Sequence, residues 1–360
     1  MDFNFKEEQQ QFADALKRWV AKDYSFETRH KIIHSDAGVS SEAWATLAEL
    51  GMTALPVPEE QGGFNGTAVD MFVVMQELGR GLVVEPYFAT VLGTWFLKQG
   101  GAHAALLEQV AGGAAKLACA LGEPGARHDM GQVATTFADG KLTGRKCVVL
   151  HGAQADHLVV SARGADGIGL YLVDARAAGV AITDYRTIDG LRAADIAFTG
   201  APATLVAQGW DTLDAGLDYG AGLLCAEALG AMEAIFAATL EYLKTRTQFG
   251  APIGKFQALQ HRMADMYIHL EQARSMALLA AVKLDAGDAQ ERRRCVSAAK
   301  FRVGQAAKFV GQQAVQLHGG MGVTDELPAA HHFKRLSMIE LTLGDSDHHL
   351  QRFIAQPGFA

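Results

Sequence analysis

Apolar residues recur at helical spacing near the start of the chain. Phe12, Leu16, Trp19 and Val20 fall on one face, with Lys17 and Arg18 between them and Glu7 and Glu8 ahead. A second helix is predicted over 41–50, with Ser41 as its cap, Glu42 in its first turn and a stop near Gly51. Pro56, Pro58 and the Gly62-Gly63 pair then mark a turn, because proline fixes φ and glycine permits positive φ. Helical pattern resumes over 68–79, 87–97 and 104–110. From about Leu117 the period changes. Short apolar runs at 133–137, 147–150, 158–161, 168–173 and 180–183, most bounded by Gly or Asp, predict strands. From Trp210 the helical signal returns, with long segments at 221–245, 256–284 and 290–318 and a shorter one near 329–341. Breaks at 285–288 and at Gly319-Gly320 leave short connections, which suit a four-helix bundle. The expected fold is multi-domain α+β: an N-terminal all-α domain over 1–116, a middle antiparallel β domain (barrel or sandwich) over 117–209, and a C-terminal four-helix bundle over 210–360.

Composition narrows the function. The 360 residues are 49% hydrophobic, enough for two or three domains with their own cores. The net charge is −8 and the densest basic run is Arg292 to Arg294, which argues against a nucleic-acid partner. The apolar stretch 221–238 is interrupted by Glu227 and Glu233, so it reads as a buried helix and not a membrane span. The first residues lack the basic and apolar regions of a signal peptide, and a cytoplasmic protein is expected. Cys119, Cys147, Cys225 and Cys295 are far apart and predict reduced thiols, not zinc or disulfides. His331-His332 and His348-His349 are adjacent pairs, which diverge by about 100° on a helix, so no metal is expected.

Several motifs, in order, resemble the acyl-CoA dehydrogenases. They are Leu50-Gly51-Met52 followed by Val57-Pro58-Glu59-Glu60 and Gly62-Gly63; Glu123-Pro124-Gly125; Arg246-Thr247-Gln248-Phe249-Gly250 with Pro252-Ile253-Gly254 and Phe256-Gln257; and Gln316-Leu317-His318-Gly319-Gly320-Met321-Gly322. The resemblance spans nearly the whole chain. It implies FAD as cofactor, an acyl-CoA substrate, and an electron-transfer flavoprotein as electron acceptor. In such chemistry a carboxylate removes the α-proton of a thioester while the β-hydrogen leaves as hydride to the flavin. The resemblance further implies that Arg246 reaches the FAD pyrophosphate of a neighbouring subunit, that Phe249 lies on the adenine side with Gln257 nearby, and that Gln316, Gly319 and Gly320 approach the pyrophosphate. A FAD site shared between subunits implies an oligomer, either a homo-oligomer or a heterotetramer with a larger family member.

Two family positions are altered. The run Gly144-Arg145-Lys146-Cys147-Val148-Val149-Leu150 carries Val148 where the family has a Trp that covers the flavin, and Leu150 where it has a hydroxyl. The usual catalytic Glu corresponds to Leu343, in Thr342-Leu343-Gly344-Asp345, and an alternative base position on an earlier helix falls on Gly220 beside Ala221. Asp345 is the expected substitute base; Asp347, Glu340 and Glu227 are the other candidate carboxylates, with Glu227 expected to be a satisfied core or subunit-interface residue. Two readings follow: an acyl-CoA dehydrogenase in its own right, or a non-catalytic subunit that completes a partner's FAD site.

Overall fold

A computed structural model describes residues 5–357; Met1 to Asn4, where the reading of the N-terminus began, lie outside the described residues. Six helices come first: α1 (Glu7–Lys22), α2 (Phe26–Ile33), α3 (Ser41–Glu49), α4 (Ala68–Gly81), α5 (Tyr87–Gly100) and α6 (Ala104–Ala111). Eight strands follow: β1 (Leu117–Ala120), β2 (Thr136–Ala138), β3 (Lys141–Leu150), β4 (His157–Gly164), β5 (Gly167–Asp174), β6 (Val180–Arg186), β7 (Arg192–Pro202) and β8 (Thr204–Gln208). The chain ends with α7 (Trp210–Thr245), the small strands β9 (Thr247–Gln248) and β10 (Ala251–Pro252), α8 (Gln257–Leu284), α9 (Ala289–His318), α10 (Pro328–Leu341) and α11 (Ser346–Ile354). The cap of α3 is Ser40, one residue before the expected Ser41: its side chain accepts the Ala43 N–H. Helices α2 and α11 were not visible in the apolar pattern, because each is short and rich in polar residues.

The described residues form two compact units. One runs to Arg29 and includes Ala68–Val83 and the chain from Ala221 onward; the other comprises His30–Thr67 and Val84–Gly220. In the first, α9 is the hub, packing on α8, α10 and α11, while α4 packs on α1 and α8. Glycine lets α4 and α7 approach backbone to backbone. A Cβ on Gly230 would stand 1.7 Å from the Gln76 carbonyl, and one on Gly79 would stand 2.1 Å from that of Glu227. Helix α7 is the one described helix long and apolar enough to cross a bilayer, but 67% of its most apolar window is buried inside the fold.

The second unit is built on an eight-stranded sheet ordered β6-β7-β3-β2-β4-β5-β8, with β1 also on β4. Its core is the inward face of the strands, including Leu142, Leu158, Val160, Ile196 and Phe198. Most pairs are antiparallel as expected, but β1 and β2 both run parallel to β4. They occupy successive stretches of that strand: Leu117 to Ala120 pair with His157 to Val160, and Thr136 with Arg163. The two are one strand line interrupted by a looped-out segment, 121–135, which holds the Glu123-Pro124-Gly125 motif.

Two predictions concern the bundle. Gly230→Ala should destabilise the protein by about 2–3 kcal/mol or more in chemical denaturation, because backbone cannot yield to the added methyl. The second concerns acid. Burial, reinforced by the Arg29 charge and by His331, pushes the pKa of His332 down to about 3. His332 is therefore neutral in the folded state while its unfolded counterpart protonates near pH 6.5. This stability contribution is complete above pH 6.5 and is lost as pH falls toward 3. The acid limb of a stability–pH curve should flatten in His332→Gln.

Candidate functional site

Residues expected to face FAD come together at one end of the bundle. Beyond α7 the chain turns through the two-residue hairpin β9–β10, with Gln248 paired to Ala251 and Thr247 to Pro252. Its central residues, Phe249 and Gly250, have φ of 54° and 75°, as a type I′ hairpin turn requires. For Gly250 this is unstrained; for Phe249 it is costly, and the ring is also 92% exposed. Arg246 precedes the hairpin and is exposed, and among the described residues its guanidinium makes no hydrogen bond or ion pair. Gln257, the first residue of α8, and Gln316, near the end of α9, are exposed as well.

The ends of α7 and α9 are joined by Tyr242, whose ring stacks on His318 at a centroid distance of 4.5 Å. Gly319 follows, with φ 63° and ψ −143°, a conformation open essentially to glycine alone. Gly320 is different. It has no positive φ, and a Cβ there would meet nothing within 4 Å. Its smallness therefore answers to neither its conformation nor packing among the described residues. A guanidinium that is exposed and without a partner among the described residues, and open glycines on the segment joined to it through the Tyr242–His318 stack, fit the diphosphate of a dinucleotide.

The turn in which the resemblance led a base to be expected, 342–345, lies after α10. Leu343 has φ 56° and is half-buried. Asp345, the expected substitute base, is the N-cap of α11: its Oδ1 accepts the His348 N–H at 2.8 Å, and the side chain is buried. Glu340 Oε1 accepts the backbone N–H of Ser346 at 2.9 Å and its hydroxyl at 2.8 Å. Gly304 of α9 makes room for this pair; a Cβ there would lie 2.6 Å from the Ser346 hydroxyl. Glu227, as expected, is a satisfied core residue: its two oxygens accept from Arg335 Nε and Nη2 at 2.6 and 2.8 Å. Asp347 is exposed on α11.

A lysine that the sequence reading did not single out shapes this turn. Lys300 is buried, and its ammonium donates to the carbonyls of Ile339, Glu340 and Gly344 at 2.8, 3.0 and 2.9 Å. Burial pushes its pKa down to about 8, against the pull of Cys225, Glu340 and Asp345. His349, also buried, donates from Nε2 to the Leu343 carbonyl at 2.9 Å. The sequence carries a signal for Lys300, since it stands between Ala299 and Val303 on the apolar stripe of α9.

In the sheet unit, Val148 is 55% exposed on a bulge of β3 with φ 52°. Asp195 Oδ1 accepts the Val148 N–H at 3.3 Å and the Tyr185 hydroxyl at 3.1 Å, which holds the bulge. Leu150 is half-buried and supplies no hydroxyl. Beneath them lies a buried ion pair. Lys146 donates to Glu123 at 2.7 Å and to Ser161 at 2.9 Å, and Glu123 also accepts the N–H groups of Ala134 and Thr135. Despite burial, these partners hold the Glu123 carboxyl below its ordinary pKa. The pair pins both ends of the looped-out segment to the sheet. Among the described residues, no group of three or more His, Cys, Asp or Glu is arranged to hold a metal.

Known proteins bear the same pattern. Residues 6–111, 118–200 and 207–356 match the acyl-CoA dehydrogenase N-terminal, middle and C-terminal domains. The acyl-CoA dehydrogenase IpdE2 of Mycobacterium tuberculosis is 32% identical over 337 residues, 91% of either chain. The solved Tcur3481-Tcur3483 steroid ACAD variant is 30% identical with a TM-score of 0.91, over 96% of each chain. The ChsE4-ChsE5 complex from Mycobacterium tuberculosis matches at 28% identity and a TM-score of 0.90, over 98% of this chain and 97% of that one. This chain belongs to the acyl-CoA dehydrogenase family, a family of FAD-dependent oxidoreductases.

Removing the Lys300 ammonium would take its donor from three carbonyls, two of them in buried bonds. Lys300→Met should cost about 3 kcal/mol or more in a denaturant titration.

Proposed function

We propose that this chain is the base-less subunit of a heteromeric acyl-CoA dehydrogenase and completes an FAD site held chiefly by a larger partner subunit of the same family. The observation that carries this reading is the turn after α10. Leu343 stands where the resemblance would put the base, Asp345 caps α11, and Glu340 is bound to Ser346. Glu227 is neutralised by Arg335. Similarity to the two-component Tcur3481-Tcur3483 and ChsE4-ChsE5 structures supports unlike subunits.

FAD, when bound, supplies the hydride acceptor for α,β-dehydrogenation of an acyl-CoA thioester and the link to an electron-transfer flavoprotein. The residues here would bind and orient it. Arg246 offers a planar fork of donors to the diphosphate. Phe249 presents its exposed ring to the adenine side, and Gln257 a hydrogen bond beside it. Gln316, Gly319 and Gly320 allow the backbone to approach the diphosphate. The chain's own flavin-facing strand is the weaker half, since Val148 and Leu150 offer neither an aromatic cover nor a hydroxyl.

The first test is the visible absorption spectrum of the purified single chain, with and without acyl-CoA thioesters under anaerobic conditions. A colourless or non-bleaching chain is expected. A flavin band that bleaches with substrate would overturn the reading and return Asp345 as the candidate base of a self-sufficient enzyme. In the assembly purified through this chain, Asp345→Asn should leave turnover unchanged, because Asn also caps helices. Gly320→Ala should leave the melting temperature of the lone chain unchanged while weakening FAD retention by the assembly about tenfold.

A further inference from the structure

Tyr242 lies one helical turn before Arg246, and the Arg246 N–H donates to its carbonyl at 2.8 Å. Its ring stacks on that of His318, 4.5 Å between centroids and 28° between planes, and its hydroxyl donates to the His318 carbonyl at 3.4 Å. His318 is itself fixed. Its Nδ1 lies 2.8 Å from the Ala314 carbonyl, and because a carbonyl only accepts, Nδ1 carries the proton. The imidazole is buried and held on its own helix, so it is a firm surface for the Tyr242 ring. The main chain passes directly from this pair to both walls of the diphosphate-facing surface. Arg246 and the hairpin follow Tyr242 by four residues, and Gly319-Gly320 follow His318 at once.

A fork of donors on one segment and backbone on another can grip one diphosphate only at a set separation. We propose that Tyr242 and His318 are positioning residues whose stack sets the spacing between the Arg246 hairpin and the Gly319-Gly320 backbone, and so sets affinity for the diphosphate of a dinucleotide. The inference rests on the FAD reading given above. Neither side chain need touch FAD; they act through the backbone that leaves them.

The test uses the flavin-containing assembly purified through a tag on this chain, stripped of FAD and titrated with FAD again. Four variants are compared: Tyr242→Leu, Tyr242→Phe, His318→Gln and Arg246→Ala. An aromatic stack of this kind is worth about 0.5–1.5 kcal/mol, so Tyr242→Leu and His318→Gln should raise the FAD dissociation constant about three- to tenfold. Tyr242→Phe keeps the ring and should stay within about twofold. The loss should fall on FAD affinity, with turnover per bound FAD and the KM for acyl-CoA unmoved; a general loosening of the bundle would lower turnover as well. If Tyr242→Leu does not assemble, His318→Gln decides, because glutamine can still donate to Ala314. Weakened FAD binding in Arg246→Ala with none in Tyr242→Leu or His318→Gln overturns the positioning role and leaves the FAD reading standing. Unchanged affinity in all four variants, Arg246→Ala included, overturns the FAD reading itself.

Discussion

Glu227 sits in α7 among buried apolar neighbours, and it is stable there because Arg335 of α10 meets both its oxygens. A carboxylate so far from water must be paired, and taking away one member of such a pair costs about 3–5 kcal/mol. The same constraint recurs through both units. Glu233 gathers Arg80 of α4, Arg274 of α8 and the Gln76 amide, which ties α4, α7 and α8 together. Glu123 and Lys146 tie the looped-out segment to the sheet. Among the described residues Lys300 has no carboxylate partner within hydrogen-bond distance and uses three carbonyls instead. Pairing that holds the fold also removes chemistry from it, since a carboxylate bound to a guanidinium or a helix N-terminus is poorly placed to take a proton from carbon.

A different physical signature marks the hairpin end of the bundle. There the structure tolerates what its interior does not: a strained Phe249 with its ring in solvent and, among the described residues, an exposed Arg246 without a counter-charge and a Gly320 whose added Cβ would meet nothing. Each is unfavourable or idle among the described residues. Backbone strain and exposed aromatic surface are kept where binding returns the cost. The interior by contrast leaves little idle: Gly79, Gly230 and Gly304 each occupy a position that a methyl would clash with.

Much of this was legible in the amino-acid order. The three-part succession of helices, strands and helices followed from a change of hydrophobic period near Leu117 and its return at Trp210. Local chemistry fixed these because the period of side-chain direction is set by backbone geometry alone. The Arg246 and Gly319-Gly320 motifs were readable as motifs, and Glu227 as a buried charge needing a partner. Other features were not. The parallel placement of β1 and β2 on β4 depends on which strands meet, and short apolar runs do not encode their neighbours. Helix α11 begins at the Asp345 cap, a polar contact that the apolar pattern does not report.

The sequence by itself determined which residue type stands at each position, including the leucine at 343. Only the tertiary structure decided what the buried charged groups are bound to, because that depends on residues far apart in the chain: Arg335 for Glu227, 108 positions away, and the α10–α11 turn for Lys300, some 40 positions on. It likewise decided that Tyr242 and His318, 76 positions apart, share one stack. Hydrophobic period reports which face of a helix is buried, but not which polar group on another helix will be waiting there. That pairing is a property of packing, and packing is set by the whole chain at once.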